Sequence, residues 1–150
     1  MQDRSFLNHI NKDYITDFNP IDPNSYFNEI IHHKLAISID GRGEFCYRDI
    51  ECFALGVPII RFEYESIMDE PLIPNYHYVS IPRPSDMVLY RQGNENHAEL
   101  FMQRYFEVIN DSEFLNYISQ NARRYYENNL TYESVLKKTH RIMELNSWMY

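Results

Sequence analysis

Two short apolar segments separated by a nine-residue helical pattern place the strongest constraint on the fold. The segments are KLAISID, residues 34–40, and VPIIRF, residues 57–62. Both are short and rich in β-branched residues, as strands buried on both faces are. Between them, YRDIECFAL puts Ile50 and Phe53 on one helical face, and Gly56 follows as a stop signal. Since strands joined through a helix run parallel, the pattern predicts a βαβ unit.

The rest of the chain extends this pattern on a small scale. NSYFNEIIHH, residues 24–33, is predicted to be a helix, and YHYVSIP, residues 76–82, a third short strand. Three helices are predicted from His97 onward, the last two with Asp111 and Thr131 at their N-termini as caps. No linker divides the 150 residues, so we expect one α/β domain, residues 1–150, with a small parallel sheet and a helical C-terminal tail.

Charge and hydropathy narrow the classes of partner. The net charge of −8 argues against a general nucleic-acid surface, because phosphate backbones require dense Lys and Arg. No apolar run approaches the roughly 18 residues of a membrane span, and the first residues have no signal-peptide pattern. We therefore expect no nucleic acid, no membrane span and a cytoplasmic location. Cys46 and Cys52 straddle the predicted helix start and are expected to be reduced thiols.

A polar, glycine-containing loop follows the first predicted strand. Asp40, Gly41, Arg42, Gly43 and Glu44 form this loop and lead into the helix. Ligands of parallel sheets lie at the carboxyl ends of the strands, and a helix N-terminus offers free N–H groups and a positive dipole end to an anion. Glycines let a backbone approach a phosphate closely. The loop is therefore a candidate phosphate site.

Two charged residues on the helix complete this candidate site. Arg48 lies in the first turns, where its planar guanidinium suits a diphosphate. Glu51 follows three residues later on the same face, and its carboxylate is able to accept two ribose hydroxyls. The alternative stays open that Arg48 and Glu51 are a surface ion pair and that Gly41 and Gly43 only shape a turn.

Other common site motifs are missing from the sequence. The loop does not match the dinucleotide fingerprint G-x-G-x-x-G, because Cys46 stands three residues after Gly43. No P-loop Lys-Ser/Thr pair is present either, which leaves an ATPase unsupported. His32 and His33 have no Cys, Asp or Glu at ligand spacing. We expect no metal and no cofactor. The tyrosines of the C-terminal helices are expected to pack with their polar tips at the surface: Tyr105, Tyr117, Tyr125, Tyr126 and Tyr132.

The segment ECFALGVPII is similar to the E-x-x-x-x-G-x-P segment of GT-B glycosyltransferases, with matches at Glu51, Gly56 and Pro58. The wider stretch, roughly residues 25–145, resembles the capsule-associated, Rumi-like members. It has a lysine-led strand that ends in Asp-Gly, an arginine-bearing helix, NYHYVSIP and the closing segment ISQNARRYYENNLTYESV. Glu51 departs from the Rumi-like pattern and fits exostosin-like relatives. The upstream acid of the retaining E-x7-E pattern falls on Gly43, so that pattern is broken.

The resemblance implies a Rossmann-like, three-layer half-domain that binds the donor of an inverting, metal-independent glycosyltransferase. The donor would be a nucleotide-diphosphate sugar, with a UDP-sugar favoured. Arg48 would contact the diphosphate and Glu51 the ribose, while His77 and Tyr78 would lie near the donor cleft. Arg83, after the third strand, is a further candidate for a phosphate contact.

Such an enzyme also needs an acceptor-binding half, which 150 residues do not accommodate beside the donor half. We expect that half on a missing segment or a partner chain. The catalytic residues are not identified by sequence, with Asp40 and Glu44 as the only candidates for a general base. The alternative is a non-catalytic α/β interaction domain or an inactive remnant of a glycosyltransferase.

Overall fold

A computed structural model of the chain describes residues 22–40, 43–66, 68–85 and 95–147. Within these ranges the chain forms five helices and three strands. In chain order they are α1 (Pro23–Ile30), β1 (Ala36–Ile37), α2 (Tyr47–Leu55), β2 (Ile59–Phe62), β3 (Val79–Ile81), α3 (Glu95–Val108), α4 (Ser112–Asn129) and α5 (Tyr132–Ser147).

The three strands form one parallel sheet in the order β1-β2-β3. The central strand is β2, in which Ile60 pairs with Ile37 of β1 on one side and with Val79 of β3 on the other. Because β1, α2 and β2 are consecutive and the two strands are parallel, the predicted βαβ unit is confirmed. The α/β class, the small parallel sheet and the helical C-terminal tail are confirmed as well.

The sharp end of α2 at Gly56 sets the entry into β2. Gly56 has a left-handed backbone, with φ of 70°, and its N–H bonds to the carbonyls of Cys52 and Phe53. The amide of Val57 also bonds to the Cys52 carbonyl, at 2.8 Å. Residues with a Cβ rarely adopt this conformation, so the glycine is required for the turn. The predicted caps of α4 and α5 also form: Asp111 Oδ1 accepts from the Phe114 amide and Thr131 Oγ1 from the Ser134 amide.

Helices cover both faces of the sheet. On one face, Ile60 and Phe62 of β2 pack against Phe101 of α3 and Ile118 of α4. On the other face, Ile59 packs against α2 in a second cluster that includes Cys52, Phe53 and Tyr78. Alternation along β2 puts Arg61 on this second face, between two apolar neighbours. A fully buried arginine on a strand of this kind needs partners, and α2 supplies one.

Helix α4 packs beside the C-terminal end of α2, where the Ser119 hydroxyl donates to the Gly56 carbonyl at 2.6 Å. Helix α5 is largely exposed. Of the tyrosines expected to pack, Tyr125 is buried, but Tyr132 is 76% exposed, so that expectation is wrong for Tyr132. None of the helices in the described ranges is long and apolar enough to span a membrane.

Candidate functional site

The carboxyl end of the sheet contains a buried group of charged side chains, called here the charge network. Two arginines on or after strands meet three carboxylates from the β1–α2 region. Its members are Asp40, Glu44, Asp49, Arg61 and Arg83. The side chains of all five are no more than 7% exposed. Buried charges of this kind persist only when they are paired.

Arg61 joins two segments that precede it in the chain. Its Nη2 lies 2.7 Å from Asp40 Oδ1, and its Nη1 lies 2.6 Å from Asp49 Oδ2. Its Nε donates to the Phe62 carbonyl, and the guanidinium carbon lies 3.6 Å from the centre of the Tyr64 ring. All three guanidinium nitrogens therefore have partners, and one face of the group is covered by an aromatic ring.

Asp49 closes the N-terminus of α2. It is the third residue of the helix, and its Oδ2 accepts from the amide of the N-cap residue Cys46 at 2.9 Å. Its Oδ1 accepts from the Ser38 hydroxyl. A carboxylate of the chain thus occupies the positive end of the helix dipole, the position where the sequence predicted a phosphate.

Arg83 connects the end of β3 to the loop after β1. Its Nη1 lies 2.8 Å from Asp40 Oδ2 and its Nη2 lies 3.1 Å from Glu44 Oε1. Its Nε donates to the Glu63 carbonyl at 2.8 Å. The contact with Asp40 is an ion pair without hydrogen-bond alignment, so Nη1 and Oδ2 have no hydrogen bond within the described ranges. Two carboxylates of the chain therefore occupy the positions around Arg83 where a phosphate was expected.

Glu44 holds the connection that follows β2. Its carboxylate accepts from the amides of Glu65 and Ser66, at 2.5 and 2.7 Å, and from the Ser66 hydroxyl. Burial acts to raise the pKa of Glu44, but the Ser66 hydroxyl, the two amides and Arg83 outweigh it and hold the pKa below its ordinary value.

The whole charge network has three carboxylates and two guanidiniums, which leaves one net negative charge.

Arg48 lies outside the charge network. It is half-buried at the edge of the sheet, with its Nη1 3.4 Å from the carbonyl of Ile37, the last residue of β1. Among the residues described, no carboxylate lies within ion-pair distance of Arg48. Arg48 therefore differs from Arg61 and Arg83 in that no carboxylate of the described residues neutralises its charge.

Glu51 lies one turn further along α2 and contacts a hydroxyl. Tyr26 of α1 donates to Glu51 Oε2 at 3.1 Å. Burial is the main cause that raises the pKa of Tyr26 to about 12, with Arg48 acting in the opposite direction and Glu51 adding to the rise. The surface ion pair between Arg48 and Glu51, kept open above as the simpler interpretation, is not formed. The two residues instead flank the Tyr26 phenol.

Of the two glycines in the loop after β1, the structure describes only Gly43. Gly41 and Arg42 lie outside the described residues. Gly43 is described; its φ is not positive, and a Cβ added there would have only ordinary contact, 3.6 Å from the Phe45 carbonyl. Backbone geometry does not require glycine at position 43. A close approach of a phosphate to Gly43 stays a prediction.

His77 and Tyr78 precede β3 and so lie at the amino end of the sheet, opposite the loop. His77 Nδ1 accepts from the Ile73 amide at 2.9 Å, and burial lowers the pKa of His77 to about 4. The buried Tyr78 ring packs edge-on against Tyr64, whose ring contacts Arg61. The structure therefore links Tyr78 to the charge network through one aromatic ring and does not bring His77 to it.

Sequence reasoning missed the two residues at the centre of the charge network, Arg61 and Asp49. One signal was present, because Arg61 is the only charged residue in the apolar segment VPIIRF. A charge in a strand buried on both faces must have a buried partner. The sequence does not say which carboxylate that partner is.

The described ranges contain no group of three or more His, Cys, Asp or Glu side chains arranged to hold a metal ion. Cys46 and Cys52 are both free thiols, and burial raises the pKa of Cys52 to about 12, so Cys52 is not a nucleophile at neutral pH.

Comparison of the chain with protein-family models, with curated proteins and with solved structures finds no match in any of the three. The similarity to GT-B glycosyltransferases consequently rests on the sequence motifs around Glu51, Gly56 and Pro58 and on the Rumi-like stretch.

Proposed function

We propose that the chain is the donor-binding part of a GT-B-like glycosyltransferase, a Rossmann-like half-domain that binds a nucleotide-diphosphate sugar, with a UDP-sugar favoured. The observation that supports this most is the position of Arg48. It is a half-buried guanidinium beside the carboxyl end of β1 with no carboxylate partner in the described ranges. Ligands of parallel sheets bind at this end, and a guanidinium there suits a diphosphate.

Glu51 supports the same proposal from the other side of Arg48. Its carboxylate already accepts a hydrogen bond from a hydroxyl, that of Tyr26. A ribose presents two neighbouring hydroxyls, which match the two oxygens of a carboxylate. In the proposed complex the ribose hydroxyls bond to Glu51 and the diphosphate lies against Arg48, at the edge of the sheet.

The charge network has a positioning role in this proposal. Arg61 and Arg83 are already paired with carboxylates, and the network as a whole is net negative. These arginines are therefore not phosphate ligands. They fix Asp40 and Glu44, the residues on either side of the glycine loop.

A general base is not expected on this chain. The candidates Asp40 and Glu44 are both ion-paired, and the pKa of Glu44 is lowered, which weakens it as a base. The base that deprotonates the acceptor hydroxyl is proposed to come from the acceptor-binding half, on another segment or a partner chain.

Calorimetric titration tests the donor site. UDP, GDP, UDP-glucose and UDP-xylose are titrated into wild type, Arg48→Ala, Glu51→Ala and the control Arg123→Ala. Arg123 is an exposed arginine of α4 that pairs with Glu127. We expect micromolar to sub-millimolar binding of a uridine nucleotide, weakened at least about tenfold by Arg48→Ala or Glu51→Ala, since a charged hydrogen bond contributes about 1.5–3 kcal/mol. The control should bind as wild type does.

Two results would contradict the proposal. One is the absence of heat with every nucleotide from a protein shown to be folded by circular dichroism. The other is binding that Arg48→Ala and Arg123→Ala weaken equally, because this would indicate non-specific attraction to positive charge.

A non-catalytic α/β interaction domain is the second candidate. The observation in its favour is the net negative charge of the network at the carboxyl end, which repels phosphate. An interaction domain is also consistent with apolar side chains of α5 that are about half-exposed, because such side chains are able to contact a partner. They include Val135, Leu136 and Ile142. This candidate predicts no nucleotide binding by wild type, so the same titration separates the two.

A further inference from the structure

A cavity of about 280 Å³ opens at the other end of the sheet. It lies between the connection that leads into β3 and the C-terminal half of α4. Its wall includes Glu70, Tyr76, His77, Asn121, Arg124 and Tyr125. Since β3 begins at Val79, the cavity lies beside the amino end of that strand, away from Asp40 and Arg48.

His77 offers a hydrogen-bond donor to this cavity. The side chain is only 8% exposed, and its Nδ1 accepts from the Ile73 amide. The pKa of about 4 keeps the ring neutral at physiological pH, and an acceptor Nδ1 requires the proton on Nε2. Within the described ranges Nε2 has no hydrogen-bond partner and keeps contact with solvent, so its N–H is available at the cavity wall.

Asn121 offers the complementary acceptor. Its side chain is buried, at 6% exposure, and its amide nitrogen donates to the Tyr117 carbonyl at 3.0 Å. That bond fixes the orientation of the amide and leaves Oδ1 without a partner in the part of the chain described. Because Oδ1 keeps contact with solvent, a ligand hydroxyl would take the place of water there.

The walls of the cavity include aromatic rings, and the charged side chains lie at its rim. The His77 ring lies 4.7 Å from the Tyr76 ring and 4.9 Å from the Tyr125 ring. Tyr125 donates its hydroxyl to the Glu70 carbonyl, so the ring is held in place as a wall. Arg124 contributes a positive charge at the rim, and the carboxylate of Glu70 lies 3.9 Å from the ammonium of Lys138. The buried groups that face the cavity are all neutral.

We infer that this cavity binds an uncharged hydroxylated ring of monosaccharide size. Hydroxyls both accept, as His77 Nε2–H requires, and donate, as Asn121 Oδ1 requires. The C–H face of such a ring packs on tyrosine, and the buried wall residues are neutral, which suits a neutral ligand. This inference does not depend on the nucleotide site, which lies at the opposite end of the sheet.

NMR of the wild-type protein labelled with ¹⁵N-histidine tests the inference directly. We first expect His77 to show the neutral Nε2–H tautomer at pH 7. Glucose, galactose, mannose and xylose are then each titrated to about 100 mM, because a ligand of about twelve non-hydrogen atoms is expected to bind in the millimolar range. At least one sugar should shift the His77 resonances with saturation, while those of the exposed His140 on α5 stay unchanged.

Variants of neighbouring arginines provide the matched control. Arg124 lines the cavity, whereas the adjacent Arg123 pairs with Glu127 instead. Arg124→Ala should weaken the saturable shift at least about threefold, and Arg123→Ala should leave it unchanged. Three results would overturn the inference: no shift of His77 with any sugar, equal shifts of His77 and His140, or a His77 response to acetate but to none of the sugars.

Discussion

The two ends of the small parallel sheet bury polar side chains in opposite ways. At the carboxyl end, Arg61 and Asp49 are charged, fully buried and bound to each other. At the amino end, His77 and Asn121 are neutral, nearly as buried, and each keeps one polar atom without a partner in the described ranges. The charged end is held mainly by internal ion pairs, although Arg83 Nη1 and Asp40 Oδ2 make no hydrogen bond there among the described residues, whereas the neutral end leaves one donor and one acceptor in contact with solvent.

This difference indicates which end of the sheet is able to bind a ligand without losing internal contacts. A ligand at the charge network must compete with ion pairs already formed in a water-poor environment, which is unfavourable. A ligand at Arg48 would not compete with these ion pairs, because Arg48 lies outside the charge network at the edge of the sheet. At the amino end a ligand would replace solvent at His77 Nε2 and Asn121 Oδ1, so binding there needs no internal bond to break.

The largest effect on stability is expected from removing Arg61 from the charge network. Arg61→Met should lower the free energy of unfolding by about 3–5 kcal/mol, because Asp40 and Asp49 lose a shared partner while still buried. Urea denaturation measures this. The control Arg123→Met removes an exposed pair with Glu127 and should cost no more than about 1 kcal/mol.

A double variant sharpens the same test. Asp49→Asn added to Arg61→Met removes one uncompensated charge and should recover part of the lost stability. A loss below about 1 kcal/mol in Arg61→Met would show that the charge network does not hold the fold together.

A smaller effect is expected from pH at the neutral end. The folded-state pKa of His77 is about 4, below the ordinary value of 6.5. The unfolded chain therefore binds the proton first as the pH falls, so the contribution of His77 is present above pH 6.5 and is lost between pH 6.5 and 4. Urea denaturation at pH 7.5 and 4.5 should show a loss about 1–3 kcal/mol larger in wild type than in His77→Asn. Equal losses would contradict the buried neutral histidine.

Removing one hydroxyl at the neutral end should have a still smaller effect. Tyr125→Phe deletes the 2.6 Å bond to the Glu70 carbonyl and keeps the ring. We expect a loss of about 0.5–1.5 kcal/mol in urea denaturation, the usual contribution of one hydrogen bond. Tyr117→Phe, at a half-exposed ring on the same helix, is the control and should stay within about 0.5 kcal/mol of wild type. Equal effects of the two changes would indicate that the Glu70 contact is not stabilising.

The smallest effect on stability is expected from Arg48→Ala. Because no carboxylate pairs with Arg48 in the described ranges, its removal leaves no buried charge unpaired. The free energy of unfolding should therefore change by about 0.5 kcal/mol or less. The same variant should weaken nucleotide binding at least about tenfold. A stability loss as large as that of Arg61→Met would place Arg48 among the structural arginines and remove the main support for the donor site.

The sequence by itself determined the local elements and their order. The βαβ unit, the stop at Gly56 and the caps at Asp111 and Thr131 were all predicted correctly. Each depends on hydrogen bonds or apolar spacing within a few residues, so the neighbouring residues are sufficient to specify it.

The tertiary structure decided which side chains meet. Arg61 contacts Asp49, 12 residues earlier, and Asp40, 21 residues earlier, because the register of β2 turns Arg61 toward α2. It also decided that β3 begins at Val79, which leaves His77 before the strand, at the end of the sheet away from Asp40. These outcomes depend on register and helix packing between distant segments, and no local pattern encodes them.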